Sequence, residues 1–129
     1  MISVDTNIVV CLLTGDDPAQ FKKAKVIFAK NNVMITTTVI LECEWVLRYA
    51  YHFNQPEITN AFKSLFGLAN VSLQEPFVID TAIKWHSKGM DFADAIHLAK
   101  SQDSEAFITF DKKLIKSASK IATIPVKEP

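Results

Sequence analysis

Four places in the chain carry an acid where burial would favour an apolar residue or a turn. Asp5 closes the apolar start "MISVD", the pair Glu42 and Glu44 interrupts "TTTVILECEWVLR", the pair Asp91 and Asp94 falls inside "GMDFADAIHLAKSQ", and Asp111 follows "AFITF". A carboxylate taken out of water without a partner is costly, and its pKa rises until it protonates. Several such acids in segments poor in Arg and Lys therefore ask for a cation. Ligation by oxygen alone suits Mg²⁺ or Mn²⁺ rather than zinc. Neither Cys nor His offers an alternative centre: Cys11 and Cys43 sit singly among apolar neighbours, and His52, His86 and His97 are scattered.

Each acid also has a plain structural use. Asp5 suits the N-cap of a helix beginning at Thr6, Asp111 the N-cap of "KKLIKSAS", and Asp91 that of "FADAIHLAKSQ". Asp94 would then lie in a first helical turn, where the helix dipole favours an acid. Capping and metal binding are compatible in one residue, so both readings stay open. Glu42 and Glu44 share one helix and must be separated. Glu44 has Arg48 four residues on, the spacing of a surface ion pair. Glu42 has Val39 and Val46 at i−3 and i+4, which puts it on an apolar stripe with no partner from its own helix, and the functional role is assigned to it. His97, three residues past Asp94, is either a general base or a locally paired helical residue. Thr6, Asn7 and Thr109 stand beside the acids and can orient ligands or waters.

The elements that must position these residues alternate. A short buried strand is expected at 2–5 and further short strands at 33–37, 106–110 and 121–126, with a weaker one at "NVSLQ". Helices are expected over 8–13, "DDPAQFKKAKVIFAKNN" with Asp16 or Asp17 as cap, "TVILECEWVLRYAYHF", "PEITNAFKSLFGL", "PFVIDTAIKWHSKG", "MDFADAIHLAKSQ" and "DKKLIKSAS". The third of these is apolar almost all round in its first half, which predicts deep burial. Strands alternating with helices imply an α/β sandwich about a mostly parallel sheet, and in such sheets the functional crevice lies outside the carboxyl ends of the strands. Asp5 and Asp111 occupy such ends.

With 129 residues the chain reads as a single domain, 1–129, with no linker or repeat. Nothing resembles a signal peptide or a membrane span, so a cytoplasmic protein is expected. The formal net charge of zero argues against nucleic acid until the charges are sorted. Thirteen of the fourteen cations are Lys, and Lys112, Lys113, Lys116 and Lys120 follow Asp111 directly. These lysines make a solvated helix face, or a stretch along which a phosphate backbone runs.

Taken in order, "VDTNIVVCLL", "TTTVILECEWVLR", "GMDFADAIHLAKSQ" and "AFITFDKKL" resemble the motifs of the PIN domain, particularly its bacterial VapC-type toxins. The resemblance implies a three-layer α/β/α domain with a central, mostly parallel sheet. It further implies a Mg²⁺- or Mn²⁺-dependent endoribonuclease whose acidic residues are Asp5, Glu42, Asp94 and Asp111, with Asp91 as a supporting ligand or RNA contact. Lys112, Lys113 and Lys116 become candidates for the RNA backbone. A cognate antitoxin, homodimerisation and a higher-order toxin–antitoxin complex come with the same likeness. Two rival classes stand beside it. A phosphotransfer domain would take a phosphoryl group on one strand-end Asp, and a haloacid-dehalogenase-like phosphatase would begin with D-x-D, of which Asp5-Thr6-Asn7 lacks the second acid. A non-catalytic RNA- or protein-binding module would have no reason to keep all four acids.

Overall fold

Asp5, Thr36 and Asp111 each turn the chain from a strand into a helix within a residue or two, and this abruptness sets the architecture. The computed structural model describes all 129 residues, which divide into two compact units, Met1–Pro76 and Phe77–Pro129.

The first unit runs β1 (Ile2–Ser3), α1 (Thr6–Thr14), α2 (Pro18–Lys30), β2 (Val33–Ile35), α3 (Thr37–Tyr49), α4 (Gln55–Phe66) and β3 (Val71–Leu73). Its three strands are parallel in the order β1-β2-β3, with Ile2 opposite Val33 and Ile35 opposite Leu73. Parallel strands need crossovers, and the helix pairs α1–α2 and α3–α4 supply them. The helix starts are local constructions. Asp17 accepts hydrogen bonds from the Ala19 and Gln20 amides with Pro18 behind it, and Asn54 and Glu57 form a reciprocal capping box. Gly15 ends α1 in the left-handed region at φ 62°, where a side chain would be strained. Val9, Ala24, Phe28, Val33, Ile35, Ile40, Cys43, Leu47, Ile58, Phe62 and Leu65 make the core.

The second unit contains α5 (Pro76–Ser87, its first residue belonging to the first unit), α6 (Phe92–Ala99), β4 (Phe107–Ile108), α7 (Lys112–Ala118) and β5 (Val126–Lys127). β4 and β5 pair in parallel, Phe107 with Val126 and Ile108 with Lys127. Ile79, Ala82, Trp85, Met90, Phe92, Ala95, Ile96, Leu98, Leu114 and Ala118 are buried.

Every strand pair is parallel, as the alternation predicts, but the strands are shorter than their apolar runs. "VMITT" stops at Ile35 because the Thr36 hydroxyl already accepts from the Val39 amide as the cap of α3. "IATIPV" yields only Val126 as strand, since the amides of Ile121 and Ala122 fold back onto the Ala118 carbonyl. β1 is an edge strand, and Ile2 and Ser3 are exposed, so the buried start expected for the chain is corrected. α3 is not buried all round either. Thr37, Ile40, Cys43, Glu44 and Leu47 face inward at helical spacing, whereas Thr38, Glu42 and Trp45 face solvent.

Candidate functional site

In the first unit Asp5 and Glu42 share a cleft of about 390 Å³. Asp5, Thr6, Asn7, Val10 and Cys11 come from the start of α1, Asp16, Asp17 and Gln20 from the α1–α2 junction, and Glu42, Val46 and Tyr51 from α3 and its exit. Four carboxylates line it and no Lys, Arg or His does. One Asp5 oxygen is committed to capping: Oδ1 accepts from the Thr6 amide at 2.8 Å. Oδ2 makes no hydrogen bond, so capping and ligation divide between the two atoms. Glu42 is exposed and makes neither a hydrogen bond nor an ion pair. Thr6 is 7% exposed, and its hydroxyl is a buried polar atom without a hydrogen-bond partner. Such atoms are uncommon, because losing water without compensation is costly. Cys43 registers the charge nearby: burial first, then Glu42 and Asp5, push its thiol up to about 12.

The two glutamates of α3 reverse the environments read from the sequence. The Glu44–Arg48 pair forms as its spacing predicts, with Arg48 Nε and Nη2 donating to Oε2 and Oε1 at 2.8 and 3.1 Å. It is not a surface pair, for the Glu44 side chain is 1% exposed and Arg48's 36%. The bidentate hydrogen bonds to Glu44 hold the Arg48 pKa above its usual value, against the opposing effect of burial. Glu42, expected on a buried apolar stripe, faces the open cleft. The buried face of α3 decides this, for it runs through Ile40, Cys43, Glu44 and Leu47.

In the second unit Asp91, Asp94 and Asp111 gather electrostatically around Asp94. Its carboxyl is half-buried, with no hydrogen bond or salt bridge to hold it. Burial raises its pKa most, the charges of Asp91 and Asp111 raise it further, and His97 opposes them. Asp91 Oδ2 accepts from the Asp94 amide at 3.2 Å, and Asp111 Oδ1 from the Leu114 amide at 3.1 Å, so both are helix caps. Thr109 positions Asp111, whose amide donates to its hydroxyl at 3.0 Å. Lys112, Lys113 and Lys116 are exposed on α7, while Lys120 lies beyond its end. Asp5, Asp91, Asp111 and Glu42 are all exposed, which corrects the expectation that these acids are buried. For Asp5 and Asp111 the reason is that β1 and β4 are only two residues long and bring their carboxyl ends straight to the surface.

The donor chemistry suits a hard cation: carboxylate oxygens in both units, the spare Thr6 hydroxyl in the first, and in the second the repulsion that Asp91 and Asp111 exert on Asp94. No group of three or more His, Cys, Asp or Glu side chains is drawn together to hold an ion. A Mg²⁺-type ion keeps several waters and takes only one or two protein carboxylates, so a complete cage is not required of it. Asp16, Asp17 and Tyr51 were not among the residues singled out from the sequence. Asp16 accepts from the Tyr51 hydroxyl at 3.1 Å and Asp17 caps α2. The acid pair before Pro18 was the available signal, and it served only to place a helix start.

Comparison with known proteins bears on residues 2–120, which match the family model described as the PIN domain. No curated protein matches the chain. Among solved structures it is similar to Mycobacterium tuberculosis VapC20, described as a toxin that cleaves the sarcin-ricin loop. The identity is 21%, over 88% of this chain and 92% of that one, with a TM-score of 0.42.

Proposed function

Because the chain belongs to the PIN-domain family, we propose that it is a Mg²⁺- or Mn²⁺-dependent endoribonuclease and the toxin of a type II toxin–antitoxin pair. The observation that carries this is the cleft of the first unit, walled by Asp5, Asp16, Asp17 and Glu42 with no cationic side chain. An uncompensated acidic wall is poor at holding a phosphate by itself and good at holding a hydrated cation. We assign Asp5 and Glu42 of the first unit, and Asp94 and Asp111 of the second, to metal binding, with Asp91 in support. A bound Mg²⁺ or Mn²⁺ supplies an activated water at neutral pH and counter-charge for the phosphorane-like transition state.

The protein's own groups orient and position. Asp5 is fixed by its bond to the Thr6 amide, so its second oxygen meets a ligand at little entropic cost. Asp111 is aimed by its cap on α7 and by Thr109, and Glu42 stands free to accept a proton or a water. Lys112, Lys113 and Lys116 take the RNA backbone as point charges, which position the substrate without reading its sequence. No protein side chain serves as nucleophile. The partners in this reading are RNA, a cognate antitoxin and a second copy of the chain, in the cytoplasm.

The test is cleavage of RNA by the purified chain with Mg²⁺ or Mn²⁺ and with excess chelator. Cleavage with metal and none with chelator is expected. Undiminished cleavage in chelator overturns the metal assignment, and no cleavage under any condition favours a binding module instead.

A further inference from the structure

Two large aromatic side chains stand in solvent beside the cleft. Trp45 and Tyr49 are each 56% exposed, although Trp is among the residues that bury most surface on folding. Both lie on α3, and with Glu42 they fall at i, i+3 and i+7, a single stripe of the helix. Glu42 and Val46 line the cleft, so the stripe begins at its wall and runs away from it. The two rings are arranged against each other, centroids 5.0 Å apart and planes tilted by 46°. The Arg48 guanidinium lies 4.5 Å from the Tyr49 centroid, and Glu44 anchors that guanidinium in turn. The buried Glu44 thus holds the outer aromatic in place through Arg48, and the platform is set before anything binds to it.

We propose that Trp45 and Tyr49 form a stacking shelf for the bases of single-stranded RNA leading to or from Glu42; this rests on the ribonuclease reading above. Size decides between occupants. Rings of this kind bury roughly 150–250 Å² each, so the exposed portions present roughly 200–250 Å² together. That is far below the roughly 800 Å² per partner of a stable protein interface, and it matches one or two nucleobases. The rise of α3 from Trp45 to Tyr49 is about 6 Å, comparable with the step between successive nucleotides in an extended strand. Stacking accepts any base, so the shelf holds the strand while sequence choice lies elsewhere. A pre-set platform loses little freedom on binding, which favours this use of the two rings.

The experiment uses the full chain, short single-stranded RNA and a duplex of the same length. Trp emission is followed in chelator, and steady-state cleavage in Mg²⁺ or Mn²⁺. Trp85, the other tryptophan, is 7% exposed, so quenching by RNA reports on Trp45. Saturable quenching by single strands and not by duplex is expected. Trp45→Leu and Tyr49→Leu should each weaken binding and raise KM by about 5- to 150-fold, with kcat little changed. Trp45→Phe, which keeps a ring, should restore KM. RNA cleaved with unchanged KM by both Leu variants overturns the shelf and leaves the ribonuclease reading intact. The same unchanged KM, accompanied by a shift in oligomeric state in light scattering, makes this face a contact between copies and equally overturns it. A wild-type chain that neither cleaves nor binds RNA defeats the ribonuclease reading, and the shelf with it.

Discussion

Glu44→Gln and Glu42→Gln make the same chemical change two residues apart on α3, and the structure predicts opposite consequences. Glu44 is buried at 1% side-chain exposure and takes two hydrogen bonds from Arg48. Replacing it with the neutral amide leaves the guanidinium with one acceptor and no counter-charge. Breaking a fully buried pair by removing one partner costs roughly 3–5 kcal/mol; Arg48 is partly solvated, which reduces the expected loss to about 2–4 kcal/mol. With an unfolding entropy of about 2.1 cal/mol/K per residue over 129 residues, the melting temperature should fall by about 7–15 °C. Glu42 has no bond to lose, so Glu42→Gln should stay within about 0.5 kcal/mol of the native chain while removing most RNA cleavage. Urea or thermal melts, paired with cleavage assays below the melting range, separate the two effects. Equal midpoints for the two variants would show that the burial and pairing of Glu44 do not carry the stability assigned to them. Full cleavage by Glu42→Gln would remove that residue from the site.

The caps can be separated from the chemistry at Asp111. Asn caps helices nearly as well as Asp, so Asp111→Asn should keep stability and lose activity, while Asp111→Ala should also lose about 0.5–2 kcal/mol in denaturant melts. Asp94 carries a pH signature. Its folded pKa lies above its unfolded one, so the folded state holds the proton more tightly, and stability falls as pH rises from the unfolded pKa, near 3.9, through the raised folded value. Asp94→Asn in chelator should therefore melt at or above the native chain at neutral pH. That advantage should shrink as pH falls below about 4, and a variant less stable by the same margin at every pH contradicts the assignment. Added Mg²⁺ or Mn²⁺ should raise the native melting temperature and raise that of Asp94→Asn much less. Finally, burial and the nearby acids push the Cys43 thiol up to about 12, so it should resist thiol reagents at pH 8 until the chain unfolds. Rapid labelling of Cys43 in the native protein would refute this.

What the sequence determined by itself was local. Asp17 before Pro18, Asp91 before Phe92 and Asp111 before Lys112 all cap the helices they precede, because a cap is a hydrogen bond to an amide at most three residues on. The Glu44–Arg48 pair was legible for the same reason, as was the parallel α/β order, since alternating strands and helices leave few other solutions. Tertiary structure decided which side of α3 was inside. Val39 and Val46 flank Glu42 on the helix surface and pointed inward on local grounds, but tertiary packing buries Glu44 and turns Glu42 to the cleft. The same packing made a wall of Asp16, Asp17 and Tyr51, and left Trp45 and Tyr49 in solvent. Helical periodicity places residues on faces relative to one another, but only the neighbours that arrive from elsewhere in the chain determine which of those faces meets water.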